Sequence, residues 1–239
     1  MSQSFGIVEE KLREAEFFLD ALHAAPRSSF EARCLFSAFV SAARSVTLAL
    51  QATMKDIDGF SVWYEQEQAK LRLDPLAPFF VEIRNDCVHK GLNPLDQVTM
   101  EHLREDISLQ MRQRRRTHVI VLPDQKAESE TILADADKAS TEYFKSLVAV
   151  ILDCYERFRS IVDPRWYFTR DHFLATGKSL EDAVQELGFP RTWATFVTNE
   201  KEGWRILRSQ QPECPINDIF LRYAGRCIPD PDALDSAQR

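Results

Sequence analysis

Arg84 and His89 lie five positions apart near the end of a predicted helix, and Asn85 directly follows the arginine. Arginine is a permanent cation whose planar fork of donors suits phosphate oxygens. Histidine gains and loses a proton near neutral pH, so it can act as a general acid or base. Together the two side chains can hold a phosphodiester, stabilise its developing charge and move a proton. These are the minimum requirements for cleaving RNA without a metal ion.

A helix that starts near Pro75 and stops at Gly91 must position these residues. Proline is favoured in the first turn of a helix, and glycine is favoured just after the last turn. His89 therefore falls in the last turn, where the helix dipole favours the protonated imidazole by roughly 0.3–2 kcal/mol. Asn85 lies one turn earlier and can hydrogen-bond the ring, which would fix its orientation.

The helix has two predicted faces when its residues are placed at about 100° intervals. The apolar face, which we expect to point into the core, contains Leu76, Phe79, Phe80, Ile83 and Cys87. The opposite arc contains Arg84, Asn85, Val88 and His89, with Val81 beside it. Exposed valines among polar residues predict a contact surface. A twofold dimer through Val81 and Val88 would bring two copies of the Arg–His pair into one cleft.

A second basic feature is the cluster Arg112, Arg114, Arg115 and Arg116, followed by His118. It is either an RNA-binding strip that contacts phosphates beside the Arg84 site or a solvated basic turn balanced by the acidic stretch 124–137. Phosphate contacts of this kind would make binding salt-sensitive. The whole chain has a net charge of −7, which argues against a basic domain that coats duplex nucleic acid.

The composition predicts an all-α fold, because only 7 glycines occur in 239 residues and the chain is 44% hydrophobic. Helical periodicity predicts an antiparallel bundle, with helices near 4–24, from Ser28 or Ser29 to about 55, 60–71, 76–90 and 137–162. The β-branched run 118–122 predicts a strand, paired with 107–111 in a small β-hairpin insert at about 106–136. We expect a first domain over 1–163, ended by Asp163-Pro164, and a small helical extension over 164–239 with a disordered tail from Pro229.

The extension contains a segment, 179–193, in which a serine cap and a helix are followed by a glycine stop and the start of a second helix. This layout is compatible with a DNA-binding helix-turn-helix, and it is equally that of a short helical hairpin used for packing or oligomerisation. The segment is not basic, which favours the second interpretation.

The sequence lacks the motifs of several classes of enzyme. It contains no Ser-His-Asp arrangement, glycine-rich phosphate loop or zinc-protease motif, and the histidines are too scattered for a metal site, so we expect no metal and no cofactor. Five isolated cysteines, a polar amino terminus and the lack of an apolar run near 18 residues predict a soluble cytoplasmic protein with no membrane contact.

The segment from Arg84 to His89 resembles the signature of the HEPN (higher eukaryotes and prokaryotes nucleotide-binding) domain family. That signature is an arginine, a polar residue, a few further residues and a histidine, within an all-α bundle. The preceding context is also similar, with a long helix rich in small residues (30–51) and an aromatic segment at Trp63-Tyr64. The resemblance covers residues 1–163.

This resemblance implies a metal-independent endoribonuclease that acts as a homodimer in toxin–antitoxin or phage-defence systems. Its products would end in a 2′,3′-cyclic phosphate. Arg84 and His89 would be catalytic, with Asn85 as the polar neighbour, and the partners would be RNA and an antitoxin or another protein. Some family members are non-catalytic modules that bind nucleotide, RNA or protein, which is the alternative function. The insert and the extension are not part of the basic bundle, so they would gate or block the site.

Overall fold

The structure, a computed structural model, describes residues 5–26, 29–93, 95, 118–123, 131–197 and 199–233. The chain forms two compact units, Met1–Ala149 and Val150–Arg239. The division falls inside a long helix, upstream of the boundary that the sequence placed at 163. Pro164, the signal for that boundary, stands instead at the start of a short helix that is capped by the side chain of Asp163.

The described part of the chain is mostly helical, which confirms the all-α class, and the predicted helices of the first unit are all present. They are α1 (Gly6–Ala24), α2 (Phe30–Met54), α3 (Phe60–Leu73), α4 (Leu76–Asn85) and α5 (Ala136–Arg157), with a π-helical turn at Asp86–Lys90 after α4. Two helix starts show why the chain folds this way locally. Ser29 Oγ accepts a hydrogen bond from the Ala32 amide at 3.0 Å, and Asp74 Oδ1 accepts one from the Leu76 amide at 2.8 Å.

The core of the first unit is built on the predicted apolar stripes. The apolar stripe of α1 and of the residue before it is buried: Phe5, Val8, Leu12, Ala15, Leu19 and Leu22. α1 packs along α2, whose Phe36 and Phe39 reach Phe80 of α4 at ring distances of 6.2 and 6.1 Å. Phe80 also stacks on Tyr143 of α5 at 4.5 Å. One buried phenylalanine therefore joins three helices.

α2 is long and apolar enough to cross a membrane by length and composition. Ten of its residues are buried inside the described structure, including the two phenylalanines that meet Phe80. The core helix of a bundle passes the same test.

A two-stranded antiparallel hairpin precedes α5. Its strands are β1 (Val119–Pro123) and β2 (Thr131–Asp135), with Val121 opposite Leu133. The predicted strand is confirmed, but it pairs with residues from the predicted acidic stretch. The partner that the sequence suggested, 107–111, lies outside the described residues.

The second unit consists of short helices around their own core. They are α6 (Arg159–Val162), α7 (Pro164–Tyr167), α8 (Arg170–Ala175), α9 (Leu180–Glu186), a 3₁₀ helix (Arg191–Phe196), α10 (Glu200–Ser209) and α11 (Asn217–Ala224). The predicted serine start is present as a capping box of Ser179 and Asp182. The start of the tail differs from the expectation of disorder, because Arg165 Nη2 donates to Asp230 Oδ2 at 2.8 Å and Trp166 Nε1 donates to the Pro229 carbonyl at 3.2 Å.

Replacing Phe80 by alanine should lower the free energy of unfolding by about 3–5 kcal/mol, because the change leaves a cavity where three helices meet. Urea denaturation measures the loss. Phe17→Ala is the matched control: its ring is 66% exposed, so its loss should stay within about 0.5 kcal/mol. Equal losses in the two variants would contradict the central position of Phe80.

Candidate active site

The inward face of α4 is rotated from the one that the sequence predicted. Phe80 and Ile83 are buried as expected, and Ala77 is buried with them. The other three predicted core residues, Leu76, Phe79 and Cys87, are only partly buried. α4 therefore uses a narrower contact stripe, and its remaining residues stay available on the surface.

Arg84 is partly buried and has no carboxylate partner among the described residues. Its Nη1 donates a hydrogen bond to Asn85 Oδ1 at 3.2 Å. Its Nε is buried and finds no acceptor in the described part of the chain. Most buried polar atoms are hydrogen-bonded, so this guanidinium N–H is an unusual donor without an acceptor in the described part of the chain. Arg84 thus keeps the charge and the donors that a phosphate would use.

The segment that contains His89 is a π-helical turn, Asp86–Lys90, which the sequence did not predict. The amides of Gly91 and Leu92 both reach the Asp86 carbonyl, the latter at 3.2 Å, and Gly91 has a φ of 67°. The predicted glycine stop is confirmed. In a regular α-helix Arg84 and His89 would point about 140° apart. A π turn closes its hydrogen bonds over five residues, which reduces this angle, and such turns are frequent at functional sites.

His89 is exposed, and its ring makes no hydrogen bond or ion pair with any residue that the structure describes. The hydrogen bond predicted from Asn85 to this ring is not among those of the described residues, where Asn85 Oδ1 accepts from Arg84. The neighbouring Lys90 is held by Asp86 at 2.7 Å, and this hydrogen bond raises the pKa of Lys90. The imidazole is therefore accessible from solvent, next to a cation that stays charged.

A cleft of about 500 Å³ runs beside the π turn, between Cys87 and Gly91 on one side and α2 on the other. Three residues of α2 with small side chains, Ser37, Ala38 and Ser41, line this cleft. Burial raises the pKa of Cys87, whose thiol interacts with Ser37, so Cys87 is a poor nucleophile.

The loop after the π turn is tied to the same helix. Asn93 Nδ2 donates a hydrogen bond to the Arg33 carbonyl at 2.9 Å, and Asn93 Oδ1 accepts one from the Leu95 amide at 3.1 Å. Both Arg33 and Asn93 line the cleft. The wall on this side is therefore fixed by hydrogen bonds between the Asn93 side chain and the backbone, which suits a binding groove.

The remaining predicted site residues fall in different places. Arg112, Arg114, Arg115 and Arg116 lie outside the described residues. Val88 is 49% exposed on the π turn, while Val81 is only partly exposed and lines a separate cavity with Tyr143. His118 is buried, and its Nδ1 lies 2.8 Å from Asp137 Oδ1, so it joins the hairpin to α5.

Within the described ranges, no group of three or more His, Cys, Asp or Glu residues is arranged to hold a metal ion. The features that sequence reasoning missed are the π turn and the cavity beside Val81. Neither has a local signal, because the first is a change of backbone register and the second is assembled from residues far apart in the chain.

Comparison with known proteins gives a match to a family model. Residues 8–104 match the family model of bacteriophage lambda protein ea47, a segment that covers less than half of the chain. It includes most of α1, all of α2 to α4 and the π turn, and it stops before the arginine cluster. No curated protein matches, and no solved structure matches.

Replacing Gly91 by alanine should destabilise the protein by about 1–2 kcal/mol, since its left-handed conformation is costly for a residue with a Cβ. A Cβ at this position would meet no atom within 4 Å, so the loss comes from the backbone alone. Gly91→Asn is the matched variant and should lose less, because asparagine tolerates this conformation. Thermal unfolding measures both; an equal loss for the two variants would contradict the backbone explanation.

Proposed function

We propose that this protein is a metal-independent endoribonuclease of the HEPN type, which acts on RNA as a homodimer in a toxin–antitoxin or phage-defence setting. The observation that supports it most is Arg84, whose buried Nε finds no acceptor in the described structure. An exposed His89 follows on a π turn of the same helix. A phosphate bound by this guanidinium would lie on the helix that presents the histidine.

The reaction needs two proton transfers and no cofactor. The RNA 2′-hydroxyl attacks the neighbouring phosphorus, the bond to the 5′-oxygen breaks, and a 2′,3′-cyclic phosphate remains. One His89 takes the proton from the 2′-hydroxyl, and the His89 of the second protomer gives a proton to the leaving oxygen. Arg84 stabilises the charge that develops on the phosphoryl oxygens.

The protein is acidic overall, so the proposed binding of phosphate must depend on a few cations close to the site. Lys90 is a cation next to His89, and Arg33 lines the cleft beside the π turn. The cluster Arg112, Arg114, Arg115 and Arg116 would add further phosphate contacts. The match to a phage family model agrees with a role in conflict between phage and host, where the target RNA is cytoplasmic.

His89→Ala should reduce RNA cleavage by about 10²–10⁴-fold, because it removes the proton-transfer group. Arg84→Ala should reduce cleavage to a similar extent by removing the phosphate clamp. The assay uses purified protein with total RNA in EDTA, and the ends of the products are mapped for 2′,3′-cyclic phosphate.

The chain supplies matched controls for both changes. His23 is also exposed in the last turn of a helix, and Arg13 is exposed on α1, so His23→Ala and Arg13→Ala should cleave at the wild-type rate. Cleavage that survives in both His89→Ala and Arg84→Ala would refute the proposal. The oligomeric state and the thermal unfolding of each variant show whether it remains folded.

Val88→Asp should dissociate the homodimer and abolish cleavage, since it places a charge at the centre of the proposed interface. Sedimentation velocity measures the change in oligomeric state. Val62→Asp is the matched control, because Val62 is 65% exposed on α3. A wild-type protein that is monomeric, or a Val88→Asp variant that remains dimeric, would argue against this interface.

The alternative function is a non-catalytic HEPN-like module that binds nucleotide, RNA or a protein partner. The observation that favours it is the apolar rim of the cleft, where Phe30 is 73% exposed and Leu92 is 45% exposed. Exposed apolar side chains beside a groove are typical of a protein interface. This alternative predicts no cleavage by the wild type under any condition, together with partner binding that is lost on changing Phe30 to aspartate.

A further inference from the structure

A second cavity, with a volume of about 360 Å³, is lined by α2, α3, α4 and α5 of the first unit. Its volume lies at the lower end of the range for small-molecule sites, which is about 300–1,000 Å³. One half of its wall is apolar, formed by Leu71, Ala77, Pro78, Val81 and Leu147. Ala77 and Pro78 have short side chains at the start of α4, which leaves this space open.

The other half of the wall carries two arginines without carboxylate partners among the described residues. Arg44 is partly buried, and its Nη1 donates to Thr47 Oγ1 at 3.0 Å, which leaves its remaining donors for a ligand. Arg72 is exposed and also lines the cavity. The carboxylate of Asp74 lies nearby, but it is engaged by the Leu76 amide and by the Ser146 hydroxyl at 2.6 Å.

Two tyrosines complete the polar side of the cavity. Tyr64 is 6% exposed and interacts through its hydroxyl with Gln68 and, at 3.5 Å, with the Thr47 carbonyl. Tyr143 is 3% exposed, and its hydroxyl has no hydrogen-bond partner within the described ranges. Burial raises the pKa of Tyr143 to about 12, so its hydroxyl remains a proton donor at neutral pH. Because Tyr143 lines the cavity, this hydroxyl is available to a ligand there.

We propose that this cavity binds a small organic anion, whose carboxylate or phosphate head is held by Arg44 and the Tyr143 hydroxyl and whose apolar body lies against Leu71, Val81 and Leu147. Arginine binds both kinds of head through parallel hydrogen bonds. The apolar wall excludes a bare inorganic ion as the preferred ligand, because it would leave that wall unfilled. The proposal does not depend on RNA cleavage.

Isothermal titration of the full-length wild-type protein tests this inference with four probes: benzoate, phenyl phosphate, benzyl alcohol and inorganic phosphate. At least one of the first two should bind at least about tenfold more tightly than the uncharged alcohol and than inorganic phosphate. Whichever of benzoate and phenyl phosphate binds more tightly identifies the preferred head group. Binding of neither anion, or equal binding of the alcohol, would overturn the proposal.

Variants locate the site and separate it from the ribonuclease proposal. Arg44→Gln and Tyr143→Phe should each weaken binding of the better anion by about tenfold. Arg13→Gln, an exposed arginine outside the cavity, and His89→Ala should bind as the wild type does. Tyr143→Phe removes a hydroxyl without a described partner, so its melting temperature should stay within about 2 °C of the wild type. Undiminished binding in both Arg44→Gln and Tyr143→Phe would place the anion elsewhere.

Discussion

The stacking of Phe80 on Tyr143 fixes the helix on which the candidate active site is built. The two rings are nearly parallel, at an interplanar angle of 5°, and Phe80 also meets Phe36 and Phe39 of α2. Aromatic contacts of this kind add about 0.5–1.5 kcal/mol to the burial of the rings. Arg84 lies one helical turn after Phe80, so this packing limits how far its backbone can move. Tyr143 also lines the proposed anion cavity, so the candidate active site and that cavity both depend on the contact between Phe80 and Tyr143.

The candidate active site combines a fixed residue and an accessible one. Arg84 lies on a regular helix that is anchored in the core, as a phosphate clamp requires. His89 lies on the π turn, where it is open to solvent. Asp86 organises this turn twice, because its carbonyl accepts the amides of Gly91 and Leu92 while its carboxylate pairs with Lys90. The position of the histidine therefore depends on contacts of Asp86 and, within the described structure, not on a side chain bound to its own ring.

The sequence predicted the helices well because their signals are local. The Ser29 cap, the stripe of α1 and the Gly91 stop each depend on residues within a few positions of one another. Long-range features were predicted less well. The strand partner of β1 and the cavity around Tyr143 depend on which elements meet in space, and periodicity does not contain that information. The inward face of α4 differs from the predicted one because Ala77 is buried, whereas Leu76 and Phe79 are only partly buried. The chemical roles of Arg84 and His89 remain a prediction from their types and spacing.

The direction in which the His89 side chain points depends on how many residues the π turn contains. A substitution can change which group stands at position 89, but it leaves the hydrogen-bond register that orients that position. A chain with one residue fewer between Asn85 and Gly91 would close an ordinary α turn and would place a histidine four positions after the arginine, about 40° from it. A regular α-helix with the present spacing would separate the two side chains by about 140°, so the spacing and the type of turn must change together to keep the geometry. For related sequences, the number of residues between the arginine and the glycine is therefore as informative as the residues themselves.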